Sequence, residues 1–231
     1  MDRLIVTLDG PAGSGKSSVA RRLAQRLGLE FLDTGAMYRG VTAMALSRGI
    51  DLVEEPYYVV ELARNCPLRF DWQTDPPRLS VRGVDVTDRL RDPDVTGGVS
   101  DVAALAGVRD VLVREQQRIG REHPRLVTEG RDQGSVVFPE AEAKFYLDAN
   151  AAVRAQRRAD QLRAAGRSVN VAEIREQILE RDRKDSTRET APLICPDDAI
   201  RLDTSELTLE QVLDTLERRV NERSKELEAR N

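Results

Sequence analysis

Eight consecutive residues, Gly10-Pro11-Ala12-Gly13-Ser14-Gly15-Lys16-Ser17, have the types and spacing to hold phosphate. Glycines let a backbone wrap an anion with its own N–H groups, and a helix starting where the loop ends adds positive potential. The lysine can reach the outer phosphates, and the hydroxyl after it can join Mg²⁺. The apolar run Leu4-Ile5-Val6-Thr7-Leu8 precedes this loop and a helical pattern follows it. That is the setting the motif requires, and it implies a bound nucleoside triphosphate. A guanine-specific GTPase would also carry Asn-Lys-x-Asp, which is absent; Asp94-Val95-Thr96-Gly97 has no apolar strand before it. A motor or helicase would place an acid at the tip of an apolar strand to hold the metal. Leu126-Val127-Thr128-Glu129-Gly130-Arg131-Asp132 offers Glu129 or Asp132 for that task, but Arg131 between them is suited to an anion. A small-molecule kinase fits better.

A second set of residues suits a second phosphate. Asp33-Thr34-Gly35-Ala36-Met37-Tyr38-Arg39 follows another strand pattern, and Gly130-Arg131-Asp132 ends a third. In a doubly wound sheet, ligands gather at the carboxyl ends of strands, so these loops are expected to face one cleft. The segment Glu180–Arg188 adds a cationic edge in which Arg181, Asp185 and Arg188 fall at i, i+4 and i+7, predicting one helical face.

The elements that must position these residues alternate. Leu4–Leu8, Leu29–Leu32, Leu126–Thr128, Phe145–Leu147 and Ile200–Leu202 are predicted as buried parallel strands. Helices are predicted over Ser17–Leu27, stopped by Gly28, and over Val102–Ile119. Thr208 with Gln211 forms a capping box for a last helix, whose charged end, Arg218–Asn231, is expected to fray. Alternation of this kind implies α/β with a mainly parallel sheet. Two segments break it. Residues 67–88 predict a small antiparallel ribbon turned at Asp75-Pro76-Pro77, and 153–189 an almost wholly polar helical stretch with a turn at Gly166.

Composition removes other classes. The 231 residues carry 36 basic and 40 acidic side chains, for a net charge of −4, which argues against general nucleic-acid binding. Thirty-two of the basic residues are Arg, the fork-shaped cation suited to phosphate and carboxylate. No apolar run is long enough for a membrane span and no cleavable signal is visible. Cys66 and Cys195, each before a proline, are expected as buried reduced thiols in a cytoplasmic protein. The single histidine, His123, is expected in a polar loop and argues against catalysis by a histidine base.

The phosphate loop, D-T-G-A-M-Y-R, E-G-R-D-x-G-S-V-V-F-P and R-D-x-x-D-S-T-R-x-x-A-P-L together resemble bacterial cytidylate kinases of the long form. That resemblance implies a P-loop kinase fold, a five-stranded parallel sheet flanked by helices, with an inserted monophosphate-binding lobe and a helical lid. The implied division is core with phosphate loop over 1–61, lobe over 62–100, core over 101–152, lid over 153–189, and core with a C-terminal helix over 190–231. It implies transfer of the ATP γ-phosphoryl group to CMP or dCMP, with Mg²⁺ on Ser17, by a cytoplasmic monomer with no nucleic-acid or membrane partner. Gly10, Pro11, Ala12, Gly13, Ser14, Gly15, Lys16, Ser17 and Ser18 would bind ATP. Thr34 (where the family often has serine), Asp132 and Arg109 would read cytosine, and Ser100, Arg181 and Asp185 would lie near the ribose. Arg39 and Arg131 would hold the acceptor phosphate, with Arg188 near base or phosphate. Of the lid arginines Arg154, Arg157 and Arg158, one or two would close over ATP; Arg157 and Arg158 join Lys16 and Arg131 as catalytic candidates. Gln133 stands where the family pattern suggests an apolar residue.

These roles also make chemical sense. An ionised Asp132 accepts from a cytosine amino group and Arg109 donates to the ring, whereas uracil presents the opposite pattern. The nucleophile would be an ionised phosphate oxygen, so no strong base is needed. The alternatives are a kinase of the same fold acting on another nucleoside monophosphate or small metabolite, an ATPase stimulated by nucleic acid, and a non-catalytic nucleotide-binding module.

Overall fold

The N-terminal apolar run is strand β1 (Leu4–Asp9), buried along its whole length, as the middle of a parallel sheet covered on both faces requires. In the computed structural model, which describes residues 3–164 and 166–229, it joins β2 (Glu30–Asp33), β6 (Arg125–Glu129), β7 (Ala143–Asp148) and β8 (Ile200–Asp203). Their order is β2-β6-β1-β7-β8, giving the five-stranded parallel sheet. β8 departs from the buried-strand prediction. It is one of the two edge strands and is largely exposed, with Ile200 at 43%. A short apolar run cannot by itself distinguish a central strand from an edge.

The chain divides into two compact units, Met1–Leu29 with Pro124–Asn231, and Glu30–His123. In the first, α1 (Lys16–Leu27) buries Val19, Ala20, Leu23 and Ala24, and Gly28 ends it in the left-handed conformation. α8 (Leu209–Glu228) opens with the predicted capping box: Gln211 N–H donates to Thr208 Oγ1 at 3.3 Å, and Thr208 N–H donates to Gln211 Oε1 at 2.9 Å. It stays helical to Glu228 with Val220 buried, so the expected fraying does not begin at Arg218; Arg230 and Asn231 lie outside the described residues.

The stretch predicted as polar helix is a hairpin of α6 (Ala151–Ala164) and α7 (Val171–Thr187) with its own apolar seam. Ala155, Ala159, Ile174 and Ile178 are buried together, with Leu162, Val169 and Val171 against them. Alanines at helical spacing form half of that seam, and the surrounding arginines hide it in the composition.

The second unit contains α2 (Thr34–Ser47), α3 (Pro56–Asn65), β3 (Leu68–Asp71), β4 (Arg78–Val81), β5 (Val84–Asp85), α4 (Pro93–Ala104) and α5 (Ala106–Glu122). The predicted ribbon is present and gains a third strand, β5, beside β4. The helix predicted over Val102–Ile119 is two helices. Leu105 is extended (φ −71°, ψ 112°); its N–H donates to Val102 O at 3.2 Å, and its carbonyl accepts from Val108 and Arg109. The apolar spacing carries across this break, so periodicity does not reveal it. His123 lies, as expected, in the short loop after α5; there its ring packs on Trp72 at 4.2 Å, and Nδ1 lies 2.6 Å from Glu30 Oε2. Both cysteines are free, but only Cys66 is buried; Cys195 is exposed.

At the carboxyl end of β1, Gly10 adopts φ 144°, and a Cβ there would lie 2.0 Å from the Leu147 carbonyl oxygen. Gly10→Ala is therefore expected to lower unfolding free energy by at least about 2 kcal/mol. Chemical denaturation measures this, and wild-type stability would contradict the tight approach.

Candidate active site

β1 and β6 run in register from Leu4 opposite Arg125 to Leu8 opposite Glu129, and Gly130 N–H donates to Leu8 O at 3.0 Å. The phosphate loop and the Gly130-Arg131-Asp132 loop therefore leave the sheet side by side. No side chain caps the first turn of α1, an arrangement that suits an anion. Lys16 is buried, and its Nζ donates to Pro11 O at 2.7 Å and to Ser14 Oγ at 3.3 Å. Burial, and then the Arg131 charge, push the Lys16 ammonium below its ordinary range. Ser17 Oγ donates to Glu129 Oε1 at 2.6 Å, pairing the expected metal-binding hydroxyl with a carboxylate. Ser14 is buried and Ser18 exposed.

The residues after β6 meet the end of α7. Arg131 Nε donates to Asp185 Oδ2 at 2.7 Å, and Arg181 Nε lies 4.0 Å from the same oxygen. Burial opposes the Arg131 charge, but the Asp185 carboxylate, with Glu129 and Asp182, outweighs it and holds the guanidinium above its ordinary value. Burial likewise works against the Asp185 charge, yet Arg131 and then Arg181 keep its carboxyl below the usual range. Arg188 does not share the helical face predicted for it, because α7 ends at Thr187 and Arg188 is extended. Its Nε donates to Ala191 O at 2.7 Å, and Nη2 lies 4.0 Å from Asp132 Oδ1. The cluster is thus built from the end of α7, the extended residue that leaves it and the loop after β6.

Asp132 is buried, and its carbonyl accepts from Val136 and Val137 N–H, closing a π-helical turn over Gln133–Val137. Gln133 is buried too, with Oε1 accepting from Thr128 Oγ1 at 2.9 Å. A polar residue therefore fits where an apolar one was expected, since a hydroxyl faces it. Sequence reasoning missed Asp9 beneath this turn. Its carboxylate accepts from Gln133 N–H at 2.9 Å and Gly134 N–H at 2.7 Å. An acid ending a fully buried strand was the available signal.

The candidate lid arginines have separate partners. Arg154 is buried and donates to Ala149 O, Ala12 O and Asp182. Arg157 donates to Thr204 Oγ1 and O at 3.1 and 2.6 Å, and Arg158 lies partly buried on α6. In the second unit, Asp33 caps α2 by accepting from Ala36 N–H at 2.9 Å, and it holds Arg39 Nη2 at 2.7 Å. Thr34 is buried in the first turn of α2, and Ser100 is half-buried on α4. Arg109 is 2% exposed; its Cζ lies 5.5 Å from the centre of the Tyr38 ring, and Nη1 donates to Ala103 O at 3.3 Å.

A family model described as cytidylate kinase matches residues 6–222. The chain belongs to the cytidylate kinase family. Similar members include the cytidylate kinases of Nocardia farcinica (strain IFM 10152), 46% identical over 93% of this chain and 92% of that one, and Azotobacter vinelandii (strain DJ / ATCC BAA-1303), 44% identical over 92% and 93%. A bifunctional pantoate ligase/cytidylate kinase of Synechococcus sp. (strain WH7803) is 49% identical over 92% of this chain; the chain spans only 44% of that relative's length. Among solved structures, a gluconokinase from Sinorhizobium meliloti 1021 has a TM-score of 0.51 at 13% identity, covering 100% of this chain and 98% of that one. An uncharacterized protein from Eubacterium ventriosum ATCC 27560 has a TM-score of 0.54 at 8% identity, covering 95% and 99%. These two likenesses bear on the fold alone. No described helix is long and apolar enough to cross a membrane.

Asp9 supplies a pH prediction. Burial raises its carboxyl from 3.8 to about 7 against the two N–H bonds, with Asp132 adding to the rise and Lys16 opposing it. The folded state then holds a proton between these values that the unfolded chain releases, so the contribution of Asp9 to stability falls as pH rises through the window. Denaturation of Asp9→Asn and wild type at pH 5 and pH 8 is expected to show the variant gaining on wild type at the higher pH. A difference independent of pH would contradict the assignment.

Proposed function

We propose that the protein transfers the γ-phosphoryl group of ATP to CMP and dCMP, giving the diphosphate and ADP. Family membership supports the activity. The observation that carries the assignment of residues is the pairing, beside a complete phosphate loop, of Arg131 with Asp185 and of Arg188 near Asp132. The backbone and side chains of Gly10–Ser18 bind ATP, with Lys16 on its outer phosphates. Arg131 and Arg39 hold the acceptor phosphate, and Asp132, Thr34 and Arg109 select cytosine. Ser100, Arg181 and Asp185 take the ribose, Arg188 supports base or phosphate, and Arg157 and Arg158 serve the donor from the helical lid over 153–189. Residues 62–100 form the monophosphate lobe. The free thiols Cys66 and Cys195 suit a reducing cytoplasm.

A hydroxyl beside a carboxylate, Ser17 with Glu129, fits Mg²⁺, which takes few protein oxygens and completes its shell with phosphate and water. When bound, the metal neutralises phosphate charge. The protein itself aligns the acceptor oxygen with the γ-phosphorus, keeps it beside Arg131, and excludes water. An ionised phosphate is nucleophile enough without a general base, so positioning and charge neutralisation dominate.

ADP release with CMP, dCMP, UMP, AMP and GMP as acceptors tests the proposal; CMP and dCMP are expected to lead, and equal turnover of UMP or AMP would sink the base assignment. Arg131→Ala is expected to cut kcat by about two orders of magnitude or more, with near-normal turnover removing it from the acceptor phosphate. Asp132→Ala is expected to reduce CMP-over-UMP selectivity while KM for ATP stays close to wild type. Equal losses for both substrates would count against its role.

A further inference from the structure

The motif Glu180–Arg188 contains an acid that the proposed activity leaves unused, Asp182. Its Oδ1 accepts from the N–H of Ala12, inside the phosphate loop, at 3.0 Å. The carbonyl of the same residue accepts from Arg154 Nη1 at 2.8 Å. Arg154 Nη1 and Asp182 Oδ2 close the circuit at 2.6 Å, and Arg154 Nε is fixed by Ala149 O at 2.8 Å. Both polar groups of a single loop peptide residue are thus gripped by one ion pair whose side chains are only 7% and 18% exposed. Gly13 fits the same junction: at φ 77° its missing Cβ would meet Arg154 Cβ at 3.2 Å and Ile178 Cδ1 at 3.4 Å. The hairpin of α6 and α7 is therefore seated on the phosphate loop.

We propose that Asp182 and Arg154 are positioning residues that set the shape of the phosphate loop and couple the donor site to the acceptor arginine. Asp185 follows Asp182 by three residues, close to one turn of α7, and holds Arg131 at 2.7 Å. One helix thereby contacts the donor loop at one position and the acceptor-side arginine at the next. The seam of Ala155, Ala159, Ile174 and Ile178 joins α7 to α6, so Arg154 and Asp182 belong to one packed body. A nucleotide that favours one shape of the loop also favours one placement of Asp182, and Asp185 is carried with it. Linkage then requires the acceptor to improve donor binding by the same factor. The coupling deepens the proposed function and rests on its donor and acceptor sites.

Calorimetric titration tests this with CMP and a non-hydrolysable ATP analogue, each alone and with the other saturating, in Mg²⁺ buffer. Wild type is expected to bind CMP at least about fivefold more tightly in the presence of the analogue. Asp182→Ala is expected to weaken analogue binding about tenfold, to bring the coupling factor close to one, and to change CMP binding alone by less than about twofold. Asp182→Asn keeps an oxygen for the Ala12 N–H but loses the ion pair, so an intermediate loss is expected; it carries the same readouts if Asp182→Ala does not fold. Lowered melting temperature with wild-type affinities and wild-type coupling would make the contact merely structural and overturn the proposal. A wild-type coupling factor of one would overturn the coupling. If wild type binds the analogue but not CMP, the acceptor reading fails, while the effect of Asp182→Ala on analogue affinity still decides whether Asp182 shapes the loop.

Discussion

Arg131 and Asp185 face each other at 2.7 Å with side chains that are 17% and 7% exposed. Charge held that far from water is stable only when it is paired, and removing one partner leaves the other stranded. Around this pair sit Lys16, Arg181 and Arg188 on one side of the balance and Asp9, Glu129, Asp132 and Asp182 on the other. The fold brings these groups together through the parallel register of β1 with β6, which sends two loops off the sheet in the same direction, and through α7, which presents its acids to both. Cations gathered for phosphate would repel one another without carboxylates between them. Asp185 and Asp182 each hold an arginine as well as balancing charge, Glu129 takes the Ser17 hydroxyl, and Asp9 fixes a backbone turn.

The same requirement accounts for features that look unrelated. Asp9 ends a fully buried strand, yet its two acceptor oxygens fix the turn that follows Asp132. Gln133 replaces an expected apolar contact with a bond from Thr128. In the second unit, Asp33 both caps α2 and holds Arg39, so one carboxylate starts the helix and orients a guanidinium. Other arginines have no such role: Arg26 faces Asp214 and Glu217, and Arg118 faces Glu115, on the surface. Exposed pairs of this kind contribute little to stability. The arginine excess is therefore two populations, one buried and directed, the other solvated.

Much of this was legible beforehand because local patterns determine it. The phosphate loop, the strands beside it and the capping box at Thr208 rest on residue types within a few positions of one another, and all three are present as predicted. The misses have a common cause. The seam between α6 and α7 uses alanines among arginines, the break at Leu105 preserves apolar spacing, and the exposure of β8 depends on its place at the sheet edge. Each depends on which elements become neighbours, and a single strand or helix pattern does not record that. Asp9, Asp182 and the position of Arg188 beyond the end of α7 belong to the same class, since their partners lie elsewhere in the sequence.

A crystal structure with CMP bound tests the central claim most directly. The Asp132 carboxylate is expected within hydrogen-bond distance of the cytosine amino group, and Arg131, still braced by Asp185, is expected on the CMP phosphate. CMP bound away from β6, or Asp132 turned from the base while Arg131 contacts no phosphate oxygen, would contradict it.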